Sequence, residues 1–388
     1  MSTPLEELGA LAHRVTDREP LPPDSLSSDL DDRYLVAINR LAWMQKESLV
    51  TNRSTENTWR ISSDEGDYLD AADIAPPPLG NMTAGLTSIY MAAVRESSVD
   101  VEDLTATLDC YYTSTGSRLG DTLEVGALAP ELHVQVNTRA DEATAQAEIQ
   151  RAVERTPVHG LLGSTHTNRF TLTHNGETID PGGLPQADIE PPEPPNATFD
   201  ALERGYGDRD PPIVRHTSET TEPLDDAEAH WDAKLEAEGA DPSTRVLHLR
   251  GIGTVDPDGL HRIRQETFAP LASAFEFIAD EPITSGDSGR APDGLSYVSA
   301  AIPFCLTTHL EQIAKIEDVD IDYHILQESA FSWGENAGKA DPLVTHLYLE
   351  SSADHEFAQQ AIDFSELACF LHAICTDIVE PEISVETV

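Results

Sequence analysis

Positive charge is what this chain has least of. Its 388 residues carry 24 Lys and Arg against 70 Asp and Glu, a formal net charge of -46. Lys46, Lys234, Lys315 and Lys339 are its lysines, and arginine supplies the rest. With no basic patch to neutralise phosphates, no nucleic acid is expected as a partner. An anionic membrane surface is not expected either. No apolar run approaches the roughly 20 residues that span a bilayer. The opening MSTPLEELGALAHRV lacks a basic stretch leading into an apolar core, so no signal peptide is read there and a cytoplasmic protein is expected. Four cysteines in so long a chain make no disulfide scaffold, so thiols are expected.

The acid is spread along the whole length instead of forming a tail. Since 39% of the residues are hydrophobic and long segments alternate or cycle cleanly, an acidic disordered chain is excluded. Dispersed repulsion of this size destabilises a compact chain in dilute buffer. At molar salt the Debye length falls to about 3 Å and the penalty disappears. The composition therefore reads as halophilic.

The chain also repeats itself. Asp64-Glu65 and Asp280-Glu281 each precede a proline by the same interval, Pro76 and Pro292. After each proline comes a small and apolar stretch, PPPLGNMTAGLTSIYMAAV and PDGLSYVSAAIPFCLTTHL. An acidic step leads into VEDLTATLDCYYT in one copy and IEDVDIDYHILQE in the other. Further on, ELHVQVNT and LVTHLYLE are each followed by a helical segment, and Thr156-Pro-Val-His159 falls where Cys369-Phe-Leu-His372 does. Ordered landmarks of this kind point to a tandem duplication.

Prolines predict a helix opening at Pro76 and another at Pro292, with Pro303 kinking the second. Residues 101–113 and 318–328 alternate as half-buried antiparallel strands do. Pro4–Arg14 reads as a short amphipathic helix, and 225–239 as another. RGIGTVDPDG (250–259) lacks the third glycine of a phosphate loop and reads as a hairpin. The expected fold class is α+β: two units, each a curved antiparallel sheet with buried central helices, paired within one chain as a pseudo-dimer. The boundaries are 1–176 for the first unit, 177–239 for a Pro- and acid-rich linker with a helix, and 240–388 for the second unit.

These motifs, in this order, resemble the OsmC/Ohr family, the osmotically inducible and organic-hydroperoxide-resistance proteins. SDEGDYLDAADIAPPPLGNMTAGLTSI and ADEPITSGDSGRAPDGLSYVSAAIPFC look like the family's acidic turn and Pro-led helix, which ends in a cysteine. TPVHGLL and CFLHAIC look like the second helix, which carries another. The resemblance implies an intertwined pair of small α+β units with the long helices central. It implies that Cys305 is the thiolate attacking an organic hydroperoxide and Cys369 the thiol that captures the resulting sulfenic acid. A dithiol or thioredoxin-like reductant would then be the second partner. The first unit lacks both cysteines, with Ile89 and Thr156 in their places. The family's carboxylate position is taken by Leu295, and the activating arginine is sought at Arg245 or Arg250. Self-association beyond the intrachain pair stays open.

His309 and His372 share helix faces with Cys305 and Cys369, so both are candidates for the pocket together with Arg250. Zinc at a Cys-His/Cys-His group ranks below thiol chemistry. No metal and no cofactor are assigned. The alternative function is a non-catalytic protein of this type that binds a metal or an apolar ligand in the same pocket. Cys110 and Cys375 read as small buried hydrophobes.

Overall fold

The structure, a computed structural model, describes residues 3–16, 21–22, 25–117, 122–202, 211–241, 243–285 and 289–388. Among them the chain forms a mixed α+β fold with two sheets, of nine and seven strands. From edge to edge the larger runs Ala12–Val15, Thr58–Ser63, Gln45–Asn52, Asp32–Ala42, Ile321–Ser332, Val344–Ser351, Arg169–His174 and Glu177–Ile179, with Lys339–Ala340 off this path. The smaller runs Glu382–Thr387, Glu124–Asn137, Asp103–Thr115, Arg245–Val255, His261–Ala269, Ser273–Ala279 and Val214–Thr220.

Neither sheet is confined to one half of the sequence. In the larger, Asp32–Ala42 pairs antiparallel with Ile321–Ser332, from Asn39↔His324 to Asp32↔Phe331. In the smaller, Asp103–Thr115 pairs antiparallel with Arg245–Val255. Each sheet thus joins a three-stranded meander from one half to a strand pair from the other. A parallel strand follows: Val344–Ser351 pairs with Arg169–His174, and Glu124–Asn137 with Glu382–Thr387. The expectation of wholly antiparallel sheets is corrected there, because the chain reaches those strands by a helical crossover and not by a hairpin.

Two long helices lie between the sheets. Pro77 and Pro78 open the first, Pro78–Arg95, with backbone already set for a helical start. The second, Gly294–Ile316, is capped by Asp293, whose carboxylate accepts from Ser296 N at 2.7 Å. Both are buried almost all round, as helices of a central layer must be. They meet at glycines: a Cβ added to Gly85 would lie 2.6 Å from the Gly294 carbonyl oxygen, and one added to Gly294 would lie 2.6 Å from that of Gly85. Pro303 sits within the second helix, where the Thr307 hydroxyl donates to the Pro303 carbonyl at 3.0 Å.

The two acidic loops ahead of these helices close alike. Asp64 N donates to Pro76 O at 3.3 Å, and Asp280 N donates to Pro292 O at 3.1 Å. Gly251 and Gly253 of RGIGTVDPDG are places where the first central helix presses on a strand, against Thr87 and Met91. The following turn is a hairpin, with Asp256 N bonded to Leu260 O and Gly259 at φ 83.

Two readings are corrected. The helix at Pro4 stops at Leu8 because Gly9 turns to φ 80, and Ala12–Val15 is a strand paired with Thr58–Ser63. Residues 177–225 are not wholly linker: Glu177–Ile179 and Val214–Thr220 are edge strands and Asn196–Asp200 is helical, while 203–210 lie outside the described residues. The helix expected at 225–239 spans Ala227–Glu238. Among the described residues no helix is long and apolar enough to cross a membrane.

Candidate active site

Cys305 lies at mid-length on the second central helix, 3% exposed. Cys369 is fully buried at a break between helices His355–Ala368 and Phe370–Thr376, its backbone extended at φ -81 and ψ 108. The break turns the Cys369 side chain towards the central helix. The two thiols are neighbours, and both are free.

Their surroundings drive them apart electrically. Burial opposes ionisation of Cys305, but hydrogen bonding from Cys369, then hydrogen bonding and charge from His309, hold its thiol well below the usual range. Cys369 moves the other way: burial, then its bond to Cys305 and the charge there, push it well above that range.

Cys305 opens on a cavity of about 670 Å³. Its walls are largely apolar, with Leu79, Leu123, Leu247, Ile316 and Phe370 among them. The polar groups gather beside the sulfur. Lys46, from strand Gln45–Asn52, is fully buried and donates to Thr308 Oγ1 at 2.9 Å and to Met44 O at 3.2 Å. Thr308 Oγ1 lies 2.8 Å from Glu65 Oε1, and Tyr68 OH donates to Glu65 Oε2 at 2.7 Å. Burial raises the Glu65 carboxyl, Lys46 draws it back, and the nearby Cys305 raises it again. A cation, a hydroxyl and a carboxylate thus sit within one hydrogen-bonded chain beside Cys305.

Reading the sequence missed Lys46, Glu65 and Thr308 as site residues. Glu65 belongs to the repeated Asp-Glu landmark, and Lys46 is conspicuous in a lysine-poor chain; Thr308 carries no signal.

The other expected residues divide. His309 lines the cavity, with Nδ1 3.2 Å from Gln312 Oε1 and its ring 5.9 Å from that of Phe370. His372 is not on the cavity wall but behind the thiols, with Nδ1 3.2 Å from Cys369 Sγ. Arg250 is corrected as a pocket residue. Its guanidinium grips Asp109 at 2.8 and 3.1 Å and stacks over Phe268, away from the cavity. Arg245, five positions earlier and therefore on the opposite strand face, lines the cavity and is exposed. Leu295 is packed in the core, and the carboxylate beside Cys305 comes instead from Glu65. Among the described residues no group of three or more His, Cys, Asp or Glu is placed to hold a metal ion.

The matching places in the first half hold no sulfur. Ile89 is buried in the first central helix, and Thr156 caps helix Pro157–Leu162 at the break where the other half has Cys369. The matching carboxylate, Glu281, accepts from Gly294 N at 2.7 Å and Ser88 Oγ at 2.5 Å, and Ser88 Oγ lies 2.9 Å from His261 Nδ1. Burial, then the neighbouring Asp293, push Glu281 up to about 8.

No family model matches the chain, and no curated protein matches it. Among solved structures, it is similar to an OsmC-like hydroperoxide resistance protein from Jannaschia sp. CCS1, at 20% identity and a TM-score of 0.19, over 31% of this chain and 79% of that one.

Proposed function

We propose that the chain is a thiol peroxidase acting on small organic hydroperoxides through Cys305 and Cys369. The carrying observation is that these cysteines, far apart in sequence, are buried side by side, and that Cys305 opens on an apolar cavity. The Cys305 thiolate attacks a peroxide oxygen; the O–O bond breaks, a sulfenic acid forms, and the alkoxide leaves as the alcohol after taking a proton. The Cys369 sulfur then bonds to the Cys305 sulfur and the sulfenic oxygen leaves as water. A dithiol or thioredoxin-like reductant restores both thiols by exchange. Lys46 and Glu65, linked through the Thr308 hydroxyl, form a charged pair one helical turn from Cys305.

The doubling seen in the sequence fits this reading, as two copies of one unit exchanging strands within a single chain. The equal loop closures and the two like-ordered sheets support it. The halophilic composition sets the conditions of the test: an organic hydroperoxide should be consumed in molar KCl with a dithiol. Cys305→Ser should abolish turnover, and Cys369→Ser should allow one reaction and leave a trapped sulfenic acid. A wild-type protein that neither turns over nor forms a sulfenic acid on Cys305 would overturn the reading. The cavity's apolar walls would then favour a non-catalytic apolar-ligand binder.

A further inference from the structure

His372, beside Cys369, is a polar side chain that the scheme above leaves without a task. It is fully buried, with Nδ1 3.2 Å from Cys369 Sγ. Among the described residues its Nε2 has no hydrogen-bond partner, and the ring lies against Phe170, centroids 5.7 Å apart. Leaving a buried polar nitrogen unpaired costs stability. An apolar side chain would fill the same space without that cost. The matching histidine of the first half has different company. His159 is partly exposed, 4.0 Å from Glu380, and the residue three before it is Thr156 instead of a cysteine. The buried imidazole therefore goes with the sulfur.

Cys369 must lose its proton to attack, and burial keeps it protonated. His372 is held uncharged, its pKa lowered to about 3 by burial and then by His309, so one ring nitrogen is free to accept. Burial opposes either charge alone. Moving the proton along the 3.2 Å contact creates both charges together, and each then stabilises the other.

Resting on the peroxidase reading, we propose that His372 is the general base for the resolving step, taking the Cys369 proton as that thiol attacks the Cys305 sulfenic acid. The S–H proton passes to His372 Nδ1, and the Cys369 sulfur bonds to the Cys305 sulfur. The S–O bond breaks with its electron pair going to oxygen. The departing hydroxide takes the proton from His372 and leaves as water. The two sulfurs end one disulfide richer and the imidazole ends neutral, so the step needs no further reactant.

The test is a single turnover in molar KCl with one equivalent of cumene hydroperoxide, following the Cys305 sulfenic acid by dimedone trapping and the disulfide by mass spectrometry. His372→Asn should form the sulfenic acid at the wild-type rate but close the disulfide about 100-fold more slowly, the scale of one general base. His159→Asn should close as the wild type does. Closure at the wild-type rate in both His372→Asn and His372→Gln, with unchanged melting, would overturn the proposal. A second arm does not depend on peroxide. Ellman's reagent at Cys305 gives a mixed disulfide that Cys369 resolves, releasing a second chromophore. If the wild type fails to react with the hydroperoxide, the peroxidase reading falls, and this release still decides the role of His372. Slow release in the variants supports it, and an unchanged rate refutes it.

Discussion

Replacing Lys46 by methionine tests the polar chain beside Cys305. The lysine is fully buried, and its ammonium is tied to Thr308, which lies 2.8 Å from Glu65. Methionine keeps the stem and removes the charge, leaving a buried carboxylate without its cation. Removing one member of a buried pair costs about 3–5 kcal/mol when the other stays charged. Glu65 can reduce that cost by taking up a proton, which gives the loss a pH signature. Its folded carboxyl is already raised above the unfolded value by burial, with Lys46 opposing. Between the unfolded and folded pKa values the native state holds the extra proton, so stability falls as pH rises through that window. Without Lys46 the folded pKa rises further and the window extends upward. Lys46→Met should therefore be least destabilising near pH 5 and most destabilising near pH 8. Glu65→Gln in the same chain should recover much of the loss at pH 8, because the amide needs no counter-charge. Urea unfolding of the four proteins of this cycle at both pH values, in molar KCl, gives the coupling directly. A loss that is equal at the two pH values and untouched by Glu65→Gln would refute the reasoning.

Stability of the wild type should climb steeply between dilute buffer and molar KCl, because a formal charge of -46 is dispersed and self-repelling; an unfolding midpoint indifferent to salt would defeat the halophilic reading. Gly85→Ala should cost at least about 1–3 kcal/mol, since its Cβ would lie 2.6 Å from a backbone oxygen that cannot swing aside; differential scanning calorimetry reads it as a lower Tm. Arg250→Ala should leave hydroperoxide turnover intact while weakening the fold, because its guanidinium helps to hold the Asp109 carboxyl below the usual range after His248 does. That contribution is present above the unfolded carboxylate pKa and fades as pH falls, so melting curves of variant and wild type should converge in acid.

What the sequence revealed was whatever could be read within one segment. Proline-led helix starts and the alternation at 101–113 and 318–328 are local patterns, and helices and strands stand there, at Pro78–Arg95, Gly294–Ile316, Asp103–Thr115 and Ile321–Ser332. Failures came from parity and from distance. Arg245 and Arg250 share a strand but face opposite ways, and only knowledge of which face meets the cavity could have chosen between them. At Pro4–Arg14 the apolar spacing suited a helix, yet one glycine at φ 80 ended it after Leu8. Lys46 and Thr308 are bonded across 262 positions, Glu65 and Thr308 across 243, and no local window contains such a pair. The same separation hid the crossing of strands between halves. Each half on its own shows good strands but not which strands from the other half they join.

That crossing bears on why a half without the cysteine pair is present at all. Lys46 and Glu65 come from the first half, Cys305 and Cys369 from the second, so one site draws on both. Under the proposed doubling, the reciprocal site would draw on His261 and Glu281 from the second half and on Ile89 and Thr156 from the first. Loss of sulfur there removes chemistry but leaves packing demands unchanged. Ile89 still fills the core against Gly294, and Thr156 still caps its helix through the His159 amide. Glu281 still needs its donors, among them Gly294 N at the very start of the helix that carries Cys305. The silent place therefore supports the entry of the helix on which Cys305 sits. A site of this construction can lose its thiols in one copy, yet the half that lost them still supplies the lysine and carboxylate of the other.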